Sequence, residues 1–105
     1  EAKIRKSRIE LEAIALARKI SLEAETAAAD MKQWASLARE IKKTLLPLAT
    51  QQVENAEAAY RNGQGEIQAL LQSKEKHLEL AASHINALGE FHLAKIRHDS
   101  ALAKP

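Results

Sequence analysis

Cysteine is absent from this chain, and aromatic residues are scarce, with one Trp, one Tyr and one Phe among 105 residues. Without cysteine there is no disulfide framework, no thiolate metal site and no thiol nucleophile. Only three glycines and two prolines punctuate the sequence, and no window approaches the ~20 apolar residues of a membrane-spanning helix. The absences therefore exclude a disulfide scaffold and a transmembrane helix, and they fit a periplasmic or extracellular setting.

The chain has no large excess of charge of either sign, because its 16 basic residues are nearly balanced by 14 acidic residues. The basic residues are dispersed, apart from a cluster within residues 3–8, and no nucleic-acid-binding module accompanies them. We therefore predict no nucleic-acid partner. There is no nucleophile–base pairing, phosphate loop or metal triad, and Glu75 and Glu79 stand beside lysines on a solvated surface. We expect no enzyme activity and no cofactor.

What the chain has is alanine, about a fifth of all residues, with Glu, Lys, Leu and Arg making up much of the rest. This composition is typical of long helices and coiled coils. At this length the chain is one domain at most. It opens on Glu-Ala-Lys in the middle of a helical pattern, so we expect a piece of a larger protein.

The most informative stretch carries two of the three glycines, between two heptad-patterned runs. Asn-Gly can end a helix in the left-handed conformation, and Gly65 adds a second permissive position. The pattern predicts an all-α, coiled-coil-like antiparallel two-helix hairpin, with helices at about 4–60 and 66–103 and a tip at 61–65. The candidate partner-binding residues are Tyr60, Arg61, Asn62, Gly63, Gln64, Gly65 and Glu66.

The first helix has an apolar stripe whose steps of three and four residues match a coiled-coil seam. The predicted seam is Met31, Trp34, Ala38, Ile41, Leu45 and Leu48, fading at Gln52 and recovering at Ala56 and Ala59. We expect Trp34 to pack in it. Pro47 removes a backbone donor and presses on the carbonyl of Lys43. We expect a kink without a phase break, the alternative being that the helix ends there.

The second helix has two apolar stripes, which implies neighbours on two sides. The predicted seam is Ile67, Leu71, Leu78, Ala81, Ile85, Leu88 and Leu102. The adjoining stripe is Leu70, Leu80, Ala87, Phe91, Ala94 and Ala101. At 1.5 Å per residue the second helix is the shorter, and Ala103 should lie near Glu25. Residues 1–24, rich in Ile and Leu, then need a cover from outside the hairpin.

Three ordered segments carry a resemblance. They are Leu45-Leu46-Pro47-Leu48-Ala49, then Ala56-Glu57-Ala58-Ala59-Tyr60-Arg61-Asn62-Gly63, and the return Ile67-Gln68-Ala69-Leu70-Leu71-Gln72. Together they resemble the carboxy-terminal periplasmic hairpin of TolC-like outer-membrane efflux proteins. The tail Phe91-His92-Leu93-Ala94 is similar to the heavy-metal-efflux branch, the CzcC-type channels. The chain departs from the family at Gln64, Gly65 and Glu66, where the family often has a Ser or Thr, and at Ala69, where the family often has an acidic residue.

The resemblance implies a segment of a periplasmic α-barrel in the outer membrane of a Gram-negative bacterium, in a parent that is a homotrimer. Membrane contact would come only through barrel strands absent from this chain. The implied partners are a periplasmic adaptor (membrane fusion protein), docked at the tip that includes Tyr60, and an inner-membrane pump. The implied role is passive conduction, and the tail alone favours metal cations as cargo.

His77, His84 and His98 recur at multiples of seven, but a seven-residue step is roughly 10.5 Å along a helix, too far for two imidazoles to bind one ion. We expect them at positions flanking the seam, the alternative being a weak metal contact completed by another chain. The rival functions are a generic coiled-coil scaffold, an adaptor's own hairpin, whose usual tip motif is missing here, and an amphipathic helix on a membrane.

Overall fold

The chain is an all-α antiparallel hairpin, as predicted. The computed structural model describes residues 2–103, and side chains from residue 4. Helix α1 is Ala2–Glu40, a π-helix follows at Ile41–Leu45, α2 is Leu46–Arg61 and α3 is Ile67–Ala103. Residues 62–66 form the connection, one residue later than the predicted tip. No strand occurs between residues 2 and 103.

Two compact units divide the chain between them. The tip unit is Gln33–Glu90 and includes the π-helix, α2 and the first part of α3. The terminal unit combines Glu1–Lys32 with Phe91–Pro105, so the first part of α1 packs with the last part of α3. Each unit is an antiparallel helix pair, and each is described separately below.

In each unit the buried face of α3 is a heptad seam, and it corresponds to the predicted adjoining stripe. Ten of its buried or half-buried residues alternate at steps of three and four: Leu70, Ser73, His77, Leu80, His84, Ala87, Phe91, Ala94, His98 and Ala101. Ala81 and Glu90, each next to a member of this set, are half-buried as well. Ala87 and Ala94 are 0% exposed. Alanines at these positions let the facing backbone approach closely.

The stripe predicted as the seam of α3 is instead largely exposed, and that prediction is wrong. Leu71, Leu78 and Ile85 are 59%, 68% and 70% exposed. Hydrophobicity alone favoured these larger side chains, but the face that packs is the one whose alanines allow the helices to approach closely. The aliphatic stripe remains on the outside of the helix pair in each unit, where it has no partner among residues 4–103.

On the amino-terminal side of the hairpin the buried face follows the predicted seam as far as Leu45, at the end of the π-helix. Trp34 is half-buried in it, as predicted. Beyond the π-helix the buried position moves by one residue, because Ala49 is 2% exposed whereas Leu48 is 50% exposed. Val53, rather than Gln52, is the next half-buried residue. The predicted continuity of phase through Leu48 is therefore wrong.

The π-helix explains both the phase shift and the survival of the helix at Pro47. The Leu46 N–H donates to the carbonyl of Ile41, five residues back, so the segment holds one residue more than an α-helical turn. Pro47 follows in the first turn of α2, where its missing N–H is tolerated. The helix continues past Pro47, as expected, and the conflict with the preceding carbonyls is resolved by the wider turn.

The amino-terminal part of α1 extends beyond its α3 partner, in agreement with the predicted mismatch in length. Ala24 and Ala27 are buried, and Ile20 is half-buried. Earlier aliphatic side chains are exposed: Ile4, Ile9, Leu11, Ile14 and Leu16. The terminal unit thus leaves apolar surface open on α1.

Candidate functional site

The hairpin tip is built on a complete Schellman motif at the end of α2. The Gln64 N–H donates to the carbonyl of Ala59 at 2.9 Å, and the Gly63 N–H donates to the carbonyl of Tyr60 at 3.1 Å. Gly63 has φ 71°, the only left-handed residue among those described. These two bonds satisfy carbonyls that the helix end would otherwise leave unpaired. The Asn-Gly pair thus ends α2 as the sequence predicts.

Gly65 has a different role from the one predicted, because it provides close approach rather than an unusual backbone angle. A Cβ placed on Gly65 would lie 2.9 Å from Ala59 Cβ and 3.2 Å from the Tyr60 backbone nitrogen. The Gly65 N–H also donates to the Ala59 carbonyl, at 3.0 Å. The returning chain therefore rests directly on the last turn of α2, and only glycine fits there.

The predicted partner-binding residues form one contiguous exposed surface, except at Gly65, which is half-buried. Tyr60 is 47% exposed. Gln64 and Glu66 are exposed at the connection, and the Glu66 carbonyl accepts from the Ala69 and Leu70 N–H groups to begin α3. We call this surface, residues 60–66, the tip. Its backbone is fixed while its polar side chains are open to a partner.

Glu57 and Lys74, which were not among the predicted site residues, form ion pairs next to the tip. Glu57 Oε2 lies 3.4 Å from Arg61 Nη2, and Glu57 Oε1 lies 3.5 Å from Lys74 Nζ. The carboxylate thus bridges α2 and α3. The spacing of four between Glu57 and Arg61 was a signal in the sequence, but the contact with Lys74 needed the fold. Exposed pairs of this kind contribute little to stability, and their effect here is to orient Arg61.

A shallow groove follows the tip on one side of the tip unit. It has a volume of about 380 Å³ and is lined by Val53, Glu57, Lys74 and Leu78, among others. Leu78 belongs to the exposed stripe of α3, so apolar and charged surface lie side by side. Such a groove suits a helix with an apolar face and charged edges.

The histidines lie in the seam itself and not at the flanking positions that we predicted. His77, His84 and His98 are half-buried, each one heptad or two from the next. In the terminal unit His98 Nδ1 is 3.5 Å from Asp99 Oδ1, and His92 packs edge-on to Phe91 with 5.5 Å between ring centroids. No group of three His, Asp or Glu side chains in the described part of the chain could hold a metal ion.

None of the helices between residues 2 and 103 is long and apolar enough to cross a membrane. Comparison with models of known protein families, with curated proteins and with solved structures gives no match to this chain. The geometry of the tip and of the exposed stripes is therefore the basis for any functional proposal.

Proposed function

We propose that this hairpin is a periplasmic tunnel segment of an outer-membrane efflux channel, and that its tip docks a periplasmic adaptor. The observation that carries the proposal is the tip, where exposed polar side chains project from a backbone fixed by Gly63 and Gly65. The ordered Leu-Leu-Pro and Tyr-x-x-Gly segments, which resemble TolC-like proteins, support the same assignment.

In the proposed mechanism the hairpin conducts passively. The stripe of α3 that includes Leu71, Leu78 and Ile85 packs against neighbouring hairpins of a homotrimer, and polar faces line water. Adaptor binding at the tip shifts the population between closed and open packings. An inner-membrane pump supplies the energy, and metal cations are the proposed cargo.

The site of contact is the tip together with the adjoining groove. Arg61, held by Glu57, and the polar Gln64 and Glu66 offer donors and acceptors of both signs to an approaching helical hairpin. The groove beside Val53 offers apolar surface next to them. A partner helix with an apolar stripe and mixed charges along its edges complements both.

A photo-crosslinking amino acid at Gln64 tests this proposal in cells that express the protein naturally. We expect capture of a periplasmic adaptor, identified by mass spectrometry as an inner-membrane-anchored protein with its own helical hairpin. The matched control is the crosslinker at Ser83, an exposed position in mid-α3, which should not capture it.

Capture of a cytosolic protein, or of no adaptor at Gln64, would reject the efflux proposal. That result would favour a coiled-coil scaffold, for which the exposed aliphatic stripe of α3 is the supporting observation. A scaffold would bind its partner helix along that stripe, so a crosslinker at Leu78 would capture a partner when one at Gln64 does not.

A further inference from the structure

A groove of about 810 Å³ lies between α1 and the end of α3 in the terminal unit. Leu22 of α1 and Ile96 of α3 line it, and each is 61% exposed. Ala27 and Ala101, which are both 3% exposed, line it as well. Two open aliphatic side chains beside buried alanines form a slot into which an apolar side chain of a partner can insert.

The charges around this groove are unbalanced in favour of basic residues. Asp30 Oδ2 lies 3.8 Å from Arg97 Nη1, and Glu23 has an interaction of its own, so neither carboxylate is free for a partner. Arg18 and Lys19 line the groove and are exposed, and neither forms an ion pair with another residue between 4 and 103. The groove therefore lacks negative charge at its end toward the amino terminus of α1.

The apolar surface continues along α1 toward the amino terminus. Leu16 and Ile9 lie seven and fourteen residues before Glu23, and residues seven apart lie on nearly the same side of a helix. Leu16 is 53% exposed and Ile9 is 65% exposed. From Ile9 to Asp30 the surface measures roughly 32 Å along the axis, so a helix of about 22 residues covers it.

We propose that this groove binds an amphipathic helix of another chain that carries acidic residues along its edge. A large aliphatic residue of that helix inserts between Leu22 and Ile96, and its acidic residues lie beside Arg18 and Lys19. Arg18 precedes Leu22 by one turn, roughly 6 Å along the axis. The partner's acidic residue therefore lies about three or four positions from its aliphatic anchor, where both are on one face of its helix.

The charge of the groove selects against other helices. A helix with basic edges would bring like charges next to Arg18 and Lys19, which is unfavourable. A helix with uncharged edges would bury the aliphatic surface but leave the two cations without partners. Apolar anchors give such a contact its affinity, whereas the charged edge fixes which helix fits.

This inference does not rest on the proposed efflux function, since it uses none of residues 60–66. Its failure would leave the tip proposal intact, and a failed capture at Gln64 would leave the groove proposal intact. It is also compatible with a homotrimer of like-oriented protomers, because the groove is formed within a single chain.

Two labelled synthetic peptides of about 22 residues test the proposal on the full chain by fluorescence anisotropy. Both peptides have leucines at alternating steps of three and four residues. The first has glutamates along the edges of the leucine stripe, and the second has lysines at the same positions. We expect the glutamate peptide to bind roughly tenfold more tightly at physiological ionic strength, because its charges oppose Arg18 and Lys19.

A charge reversal assigns this preference to the groove. The double variant Arg18→Glu/Lys19→Glu should bind the lysine peptide more tightly than the glutamate peptide. The matched control is Lys42→Glu/Lys43→Glu, an adjacent pair of exposed lysines in the tip unit, which changes the net charge by the same amount. The control should keep the preference for the glutamate peptide. Circular dichroism establishes that both variants retain their helices.

Truncation of one side of the slot provides the second measurement. Leu22→Ala should raise the dissociation constant of the glutamate peptide roughly tenfold, because the anchor loses its apolar contact. The matched control is Leu48→Ala, at a leucine of α2 that is 50% exposed and lies in the tip unit. This control should leave the dissociation constant unchanged.

Three outcomes would overturn the proposal. The first is that neither peptide binds, or that both bind equally well. The second is that the control variants alter binding as much as the groove variants do. The third is that the chain alone forms a dimer in sedimentation equilibrium that Leu22→Ala dissociates, which would assign the groove to a second copy.

Discussion

Replacing Gly65 with alanine should destabilise the hairpin through a steric conflict at the tip. The new Cβ would lie 2.9 Å from Ala59 Cβ and 3.2 Å from the Ala59 carbonyl carbon, whereas carbon atoms pack best at about 3.5–4.0 Å. Its neighbours are backbone atoms and a methyl group fixed to the backbone, so no rotamer change relieves the contact. Overpacking of this kind costs about 1–3 kcal/mol.

The restriction of the unfolded chain by alanine offsets part of this loss, by about 0.4–1 kcal/mol. We therefore expect Gly65→Ala to lower the free energy of unfolding by about 1–2 kcal/mol. Urea unfolding followed by far-ultraviolet circular dichroism, at one fixed protein concentration, measures the change. A fixed concentration is needed because association would add to the apparent stability.

The other two glycines are internal controls for this measurement. Gly89 lies within α3 and an added Cβ meets nothing within 4 Å, so Gly89→Ala should stabilise the protein by roughly 0.5–1 kcal/mol. Gly63→Ala meets nothing either, but its φ of 71° costs an alanine about 1–2 kcal/mol. If Gly65→Ala proved as stable as Gly89→Ala, the close approach of the returning chain to Ala59 would be refuted.

Two further predictions concern the seam. Deleting Lys43 in a Pro47→Ala background should leave stability within about 1 kcal/mol of Pro47→Ala alone, because the deletion converts the π-turn to an α-turn and keeps both halves of the seam in phase. Deleting Gln52 in the same background should lower the free energy of unfolding by roughly 2 kcal/mol or more, because it turns Val53 and Ala56 out of the seam. Thermal unfolding measures both deletions. Equal melting temperatures would contradict the π-helix as the site of the extra residue. Ala87 is 0% exposed, so Ala87→Leu should lower the free energy of unfolding by about 1–3 kcal/mol. The control Ala82→Leu, at an exposed position, should change it by less than about 0.5 kcal/mol. Equal denaturation midpoints for the two variants would count against the buried seam.

Local sequence signals were sufficient for the helices and the turn, because both depend on neighbouring residues. Helical periodicity predicted two helical runs, of which the structure divides the first into α1, the π-helix and α2, and Asn62-Gly63 predicted the reversal. The face of α3 that packs could not be obtained in this way. Two apolar stripes competed, and the stripe with the smaller side chains, which includes Ala87 and Ala94, is the one that packs.

The π-helix was missed for a related reason. Leu48 was placed in the predicted seam because it is large and apolar and fits the spacing of three and four residues. The apolar pattern nevertheless weakened at Gln52. That weakening was the available signal, since a shift of one residue brings Ala49 and Val53 into the seam. The position of the turn followed from the sequence to within one residue, and partner binding by Tyr60 to Glu66 stays a prediction. The link from Glu57 to Lys74 required the register between the two helices.

A single oxygen atom connects the exit from α2 with the path of the returning chain. The Ala59 carbonyl accepts both the Gln64 and the Gly65 N–H groups, so an opening that displaces this carbonyl removes the acceptor of both amides. Local opening at this point should expose both amides to solvent in one event. We therefore expect the Gln64 and Gly65 amides to show equal protection in hydrogen exchange, rather than protection that decreases from one residue to the next.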